Sequence, residues 1–406
     1  MTNLSRIAFV CQRALPYHRA RVACLSRTVR PLGIDVALVE VASENTSYGG
    51  FPTDVPPGGT YAGQTCFPVS SYGDLTACGV LRAVESSLWG LAPNVVFAPA
   101  TAFPEGMAAV SYRLRSGSKV VMMDDAWQAT DQRAFLTRAV KRLIHKNVDA
   151  AFVPAPSHRA YFESLGFPAQ RIVFGVDAVD NEFFARVAAS ACVRQDHWRQ
   201  TLGLPAKYFL FVGRGLPRKG LESLLQAYRV YRARAAQAAW DLVLVGPGES
   251  AQLGESGEGR AQGFVVAGAR FGEELCACYG LASAMVVPSL KDPWALVVNE
   301  AAAAGLPLLV SSGCGSAQTL VREGENGWTF PPGDEERLAT LMARLTSLPD
   351  AELQAMGRRS REIVADWGLE RFTKGALEAA QIPKRPPAGL LSDLLTRNWK
   401  GRVRPT

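Results

Sequence analysis

Ser289-Leu290-Lys291-Asp292-Pro293-Trp294-Ala295-Leu296-Val297-Val298-Asn299-Glu300 places one carboxylate, Glu300, inside an otherwise apolar helix. Asp292 suits an N-cap and Pro293 the first helical position, while Gly305 and Pro307 mark the far end. Between those marks only Asn299 and Glu300 are polar. A helix apolar nearly all round is buried, and an ionised Glu in it is costly unless paired or hydrogen-bonded. Glu300 is therefore expected to serve a bound polar ligand.

Working outward, strand-like runs alternate with helical patterns: Ile7 to Cys11, Ile34 to Val39, Val95 to Ala98, Lys119 to Met123 and Ala151 to Val153. After a mixed stretch near 180 to 205 the alternation resumes with Tyr208 to Val212, Asp241 to Val245, Phe264 to Val266, Ala284 to Val287 and Leu308 to Val310. Such alternation predicts an α/β architecture of two Rossmann-like domains with parallel sheets facing a cleft. Ligands of these sheets bind beyond the carboxyl ends of the strands, so the chemistry belongs in the loops that follow them. The longest stretch without periodicity, Ser43 to Asp74, is read as an ordered loop on the acceptor side.

A second constellation, Phe211-Val212-Gly213-Arg214-Gly215-Leu216-Pro217-Arg218-Lys219-Gly220, follows a strand and opens a helix near Leu221. Helix N-termini attract phosphates, and three cations lie in this one loop. A dinucleotide fingerprint would need glycine at Arg218, and the turn after the first strand lacks glycine altogether, so a dehydrogenase fits worse.

The spacing Asp292-x7-Glu300, followed by Ala-Ala-Ala-Ala-Gly-Leu-Pro, resembles the E-x7-E signature of the retaining glycosyltransferases of family 4, the group 1 glycosyltransferases of GT-B fold. Asp292-Pro293-Trp294-Ala295-Leu296 stands where that family usually has Glu-Pro-Phe-Gly-Leu. The loop at 213 to 220 is similar to the family's Gly-Arg-(x)n-Lys-Gly segment. Further likenesses are Tyr161 to Gly166 with Gly175-Val176-Asp177, Leu242 to Gly248, Gly313 to Ala317, and Gly324 to Gly327 read as an Asn-Gly hairpin. The resemblance implies that Gly213, Arg214 and Lys219 meet the donor diphosphate, that the backbone N–H groups near Leu296 and Val297 add to this, and that Glu300 holds the ribose hydroxyls. Asp292 would receive hydroxyls of the transferred sugar, although a plain helix cap accounts for it equally. Stabilising charge on a departing nucleoside diphosphate is the main catalytic demand. Arg214, Lys219, Asp292 and Asp124 are thus the catalytic candidates, with no metal or cofactor expected and UDP the default base.

In the first half, Ala14 to Arg21 replaces the glycine pair common in the family, and His18, Arg19 and Arg21 are read as surface residues. Met123-Asp124-Asp125-Ala126-Trp127 ends the fourth strand, where Asp124 orients an acceptor hydroxyl or caps a helix. Expected domains are 1–185 on the acceptor side, 200–370 binding the nucleotide sugar, and 371–406 as a C-terminal helix and basic tail returning to the first domain.

The 406 residues, 48% hydrophobic and 20% charged, suit a globular protein, and Ile7 to Cys11 is too short for a signal-peptide core, so a cytoplasmic location is expected. Eight scattered cysteines and four single histidines suggest reduced packing residues, Cys276 and Cys278 among them, and no structural metal site. The net charge of +7 is concentrated: Lys384, Arg385, Arg397, Lys400, Arg402 and Arg404 face only Asp393 in the last stretch. Leu390, Leu391, Leu394, Leu395 and Trp399 share that tail. Packing of this apolar face onto the first domain is the preferred reading, and peripheral contact with an anionic membrane the other. A second basic helix spans Gln132 to Lys146. Nucleic acid is excluded as a partner, because interleaved aromatics and known motifs are lacking. The expected activity is hexosyl transfer from a nucleotide-sugar donor to a cell-envelope, polysaccharide or small-molecule acceptor. Its alternatives are a GT-B sugar-nucleotide epimerase or phosphorylase, and a donor-binding member that has lost turnover.

Overall fold

The computed structural model of the chain describes residues 4–44, 60–131, 135–235, 238–246 and 263–403. The chain divides into two compact units, residues 1–178 with 369–406 and residues 179–368.

The first unit is built on β1 (Arg6–Cys11), β2 (Asp35–Glu44), β3 (Ala62–Ser71), β4 (Val95–Pro99), β5 (Lys119–Met123), β6 (Ala150–Val153) and β7 (Ile172–Phe174). All pairings are parallel, in the order β3-β2-β1-β4-β5-β6-β7. The crossovers carry α1 (Pro16–Val29), α2 (Ala77–Leu91), α3 (Pro104–Ser116), α4 (Phe135–His145) and α5 (Arg159–Ser164). Strands covered on both faces read as continuous apolar runs, and Val36 to Ala42 is buried without a break. Alternate residues of β1 feed two cores. Ala8 and Val10 join Val80, Val84 and Leu88 of α2, while Ile7 and Phe9 join Val22, Leu25 and Val29 of α1.

The strand β3 corrects the expectation of a loop from Ser43 to Asp74, of which residues 45–59 lie outside the described part. Its sequence, Ala-Gly-Gln-Thr-Cys-Phe-Pro-Val-Ser-Ser, shows little burial and no apolar alternation. An edge strand paired on one side needs neither, and Pro68 is tolerated there.

The second unit has β8 (Tyr208–Val212), β9 (Asp241–Val245), β10 (Phe264–Gly268), β11 (Ala284–Val287), β12 (Leu308–Ser311) and β13 (Gly327–Phe330), parallel in the order β10-β9-β8-β11-β12-β13. Its helices include α6 (Asn181–Val193), α7 (Gln195–Leu202), α8 (Leu221–Ala235), α9 (Gly272–Leu281), α10 (Leu296–Ala304), α11 (Ala317–Leu320), α12 (Glu335–Thr346) and α13 (Asp350–Ala365). Asn326-Gly327 opens no hairpin: it leads into β13, which runs parallel to β12. Buried Asn326 fixes that turn through Arg322 N (2.7 Å) and Leu320 O (2.9 Å).

The chain then returns to the first unit with α14 (Leu369–Gln381) and α15 (Leu390–Asn398). Phe372 of α14 contacts the rings of Phe9 (5.8 Å) and Phe152 (5.3 Å) on the sheet. Beyond it, the Asp149 carboxylate binds Arg113 through both oxygens (2.8 Å each) and also accepts the Arg385 N–H (2.7 Å).

Candidate active site

In an open parallel sheet, ligands bind where the strand order reverses. In the second unit that point lies between β8 and β11, which are neighbours in space but distant in sequence. The loops following these two strands carry the expected residues. Gly213 closes β8, its N–H bonded to Val245 O (2.9 Å), and half-buried Arg214 follows. Pro217–Lys219 forms one tight helical turn that ends on left-handed Gly220. Gly220 is needed there twice over, for its φ of +71° and because a Cβ would meet Pro288 O at 2.2 Å.

The two loops are stitched together. Leu290 N donates to Arg218 O (2.8 Å), and Lys219 Nζ meets Asp292 Oδ2 at 2.6 Å. Ser289 Oγ donates to the same carboxylate (3.3 Å), while the Asp292 N–H reaches Gly313 O (3.0 Å). Asp292 is buried.

It is not the helix cap that the sequence suggested. The helix α10 begins at Leu296, with Ala295 as its N-cap in a left-handed conformation (φ 72°, ψ 74°), and Pro293 lies outside it. Asp292 is held instead by the neighbouring loops, and its carboxylate is spent on Lys219. Leu296 and Val297 supply the first N–H groups of α10, at its positive end. At the other end Gly305 closes the helix at φ 87°, as its sequence implied.

Glu300 has a protein partner: its Oε2 accepts the Tyr279 hydroxyl of α9 at 2.7 Å. Burial of the carboxyl raises its pKa to about 7, and the tyrosine bond opposes that rise. Glu300 nonetheless keeps part of its surface open. Cys276 and Cys278 are buried packing residues of the same helix α9.

Asp124 belongs to the first unit, half-exposed after β5. Its Oδ1 accepts Ala126 N (3.0 Å), so it closes a turn and caps no helix. The readings of His18, Arg19 and Arg21 as surface residues are corrected. Arg21 is buried, donating to Ala178 O (2.8 Å) and pairing with Asp177 (3.4 Å). His18 accepts the Leu15 N–H on Nδ1 (3.2 Å); burial, then Arg21 and Arg19, lowers its pKa to about 3, so the ring is neutral. Arg19 donates to Ala14 O (2.9 Å).

Sequence reasoning missed the switch point of the first unit, between β1 and β4. Buried Glu105, at the start of α3, accepts the Tyr72 hydroxyl (2.9 Å), and burial pushes its pKa up to about 7. Buried Glu40 on β2 accepts Ala14 N (2.6 Å) and Thr65 Oγ1 (2.9 Å). Polar residues of β-strand and helix ends lack a local signature; only the strand order identifies them. No group of three or more His, Cys, Asp or Glu side chains among the described residues is placed to hold a metal ion.

Residues 206–347, which contain these loops, match the family model of the group 1 glycosyl transferases. A D-inositol 3-phosphate glycosyltransferase of Salinispora arenicola is 31% identical over 218 residues, 49% of this chain and 47% of its own. A GDP-mannose-dependent alpha-mannosyltransferase of Mycobacterium tuberculosis is 28% identical over 227 residues, 56% of this chain and 55% of its own. The chain thus spans about half the length of these curated relatives. In fold, the Escherichia coli trehalose-6-phosphate structure bound with UDP-2-fluoro glucose superposes with a TM-score of 0.72 at 15% identity, covering 94% of this chain and 100% of that one. Residues 206–347 therefore match the group 1 glycosyl transferases, in a chain of GT-B fold.

Proposed function

We propose that the chain transfers a hexose, with retention, from a nucleoside-diphosphate sugar to a cell-envelope, polysaccharide or small-molecule acceptor. The observation that carries this reading is the pair of loops at the β8/β11 switch point, which brings Lys219, Asp292 and the N-terminus of α10 together inside the matched domain. Arg214 and Lys219 neutralise the diphosphate, aided by the Leu296 and Val297 N–H groups, as charge builds on the leaving group. This cation set needs no metal, and turnover is expected to survive a chelator.

Glu300 accepts the ribose hydroxyls. Its carboxyl titrates near 7, and an ionised acceptor makes the stronger hydrogen bond. Asp292 meets hydroxyls of the transferred sugar once donor phosphates compete for Lys219, and Asp124 orients the acceptor hydroxyl. UDP is the proposed base, in keeping with the UDP-sugar held by the structural relative, and GDP is the second choice, in keeping with the mannosyltransferase relative.

Thermal-shift screening against UDP, GDP, ADP, TDP and their sugars tests the reading, since a ligand of the native state alone raises its unfolding temperature. Stabilisation by one diphosphate, lost in Arg214→Ala and reduced in Glu300→Gln, is expected. Affinity should rise from about pH 6 to about pH 8 in the native protein and stay level in Glu300→Gln. An unchanged nucleotide affinity in both variants would overturn the donor assignments.

A further inference from the structure

The helix α15 packs with its polar side inward. Ser392 and Thr396 are buried, and the Asn147 amide donates to Thr396 Oγ1 and Asp393 Oδ1, both at 3.1 Å. Three of its four leucines point the other way: Leu390 is 90% exposed, Leu391 60% and Leu394 59%. The preferred reading of the sequence, an apolar face packed on the first domain, is thus corrected for these three. They cannot turn inward, because the segment is pinned on both sides. Arg385 N is held by Asp149, Trp399 Nε1 donates to Thr101 O (3.0 Å) and Arg402 N to Ala102 O (2.9 Å).

The helix α4 packs against α15 and adds Leu136, 76% exposed. Exposed cations lie on or beside the same two helices. Arg142 and Lys146 are exposed on and just after α4; Arg397 falls on the leucine side of α15, three residues beyond Leu394, and exposed Lys400 follows. From Phe135 to His145 there is no acidic residue, and from residue 383 to 403 there is only Asp393, which Asn147 holds. A helix with leucines outward among cations suits the boundary between anionic headgroups and acyl chains. No helix of the described residues is long and apolar enough to cross a bilayer.

We propose that the leucine face of α15, extended by Leu136, seats on an anionic lipid bilayer, with Arg142, Lys146, Arg397 and Lys400 meeting the lipid phosphates. A second copy of the chain is the poorer occupant, because it would bring two basic rims together.

The test is co-sedimentation of the full chain with vesicles of equal parts phosphatidylcholine and phosphatidylglycerol, and with phosphatidylcholine alone. Binding should be about tenfold or more stronger to the anionic vesicles and weaken with added salt. The variants Leu391→Ser with Leu394→Ser, and Arg397→Glu with Lys400→Glu, should each lose about tenfold or more while keeping the unfolding midpoint and the nucleotide response of the parent, since exposed residues carry the change. Equal binding to both vesicles, or leucine variants that bind as the parent does, would overturn the proposal. So would a concentration-dependent dimer that the leucine variant abolishes, which would assign the face to a second copy.

Discussion

Lys219 Nζ lies 2.6 Å from Asp292 Oδ2, so the cation expected to meet the donor diphosphate and the acid expected to meet the sugar form one partly buried unit. Removing one partner strands the other's charge, which costs more than the pair itself contributes. Lys219→Met is expected to destabilise the second unit by about 2–3 kcal/mol, with Asp292→Asn in the same chain recovering part of the loss. Chemical denaturation of the two single variants and the double variant measures it. Additive losses would mean that the two side chains do not depend on each other.

Glu105 gives the first unit a pH dependence of definite sign. Its folded pKa is about 7, whereas an ordinary glutamate titrates near 4.5. Between those values the folded state binds more protons than the unfolded chain, so stability falls as pH rises and the penalty is complete above about 7. Glu300 acts in the same direction in the second unit. The burial of Glu105 implies a fall of roughly 3 kcal/mol across that window. Unfolding at a series of pH values should show this slope, and Glu105→Gln should remove the first unit's share. An identical slope in the variant would refute the assignment.

Much of this was legible in the sequence, and for physical reasons. Buried parallel strands such as β1, β8 and β12 are continuous apolar runs flanked by turn residues, so ten of them stand out. The edge strand β3 and the short β7 and β13 lack that signal. The site was legible where a loop carries the chemistry, at Arg214 and Lys219, because cations gathered between a strand and a helix N-terminus suit an anion. It was not legible where side chains meet across the fold. Nothing near Glu300 in sequence announces Tyr279 of α9, and nothing near Asp292 announces that Lys219 would claim it. The local rule placing Asp before Pro at a helix start failed because loop-to-loop bonds from Gly313 and Gly315 hold that backbone outside the helix.

Asp149 fixes the C-terminal segment to the first unit through Arg113, Val120 N and Arg385 N, and is almost fully buried. Asp149→Ala leaves Arg113 as an unpaired buried charge, so a loss of about 3–5 kcal/mol is expected. Hydrogen exchange should show residues 385–403 released along with it, since their N–H and indole bonds depend on that anchor. Protection of the tail equal to the parent's would show that Trp399 and Asn147 suffice to hold it.

Ala295 and Ala92 are the non-glycine residues with positive φ among the described residues, at 72° and 47°. A methyl group there crowds the following carbonyl and costs about 1–2 kcal/mol, which glycine avoids at the expense of a freer unfolded chain. Ala92 caps α2 on the surface, so Ala92→Gly should stabilise by about 0.5–1 kcal/mol. Ala295 stands where the family pattern has glycine, yet it is buried beneath the start of α10, and its methyl packs there. Losing that methyl offsets the relief of strain, so Ala295→Gly should gain less than Ala92→Gly, by roughly 0.5 kcal/mol. Unfolding midpoints of the two variants give the ranking. A larger gain at Ala295 would mean that its methyl is itself a source of strain at the head of α10, and nucleotide affinity should then improve along with stability.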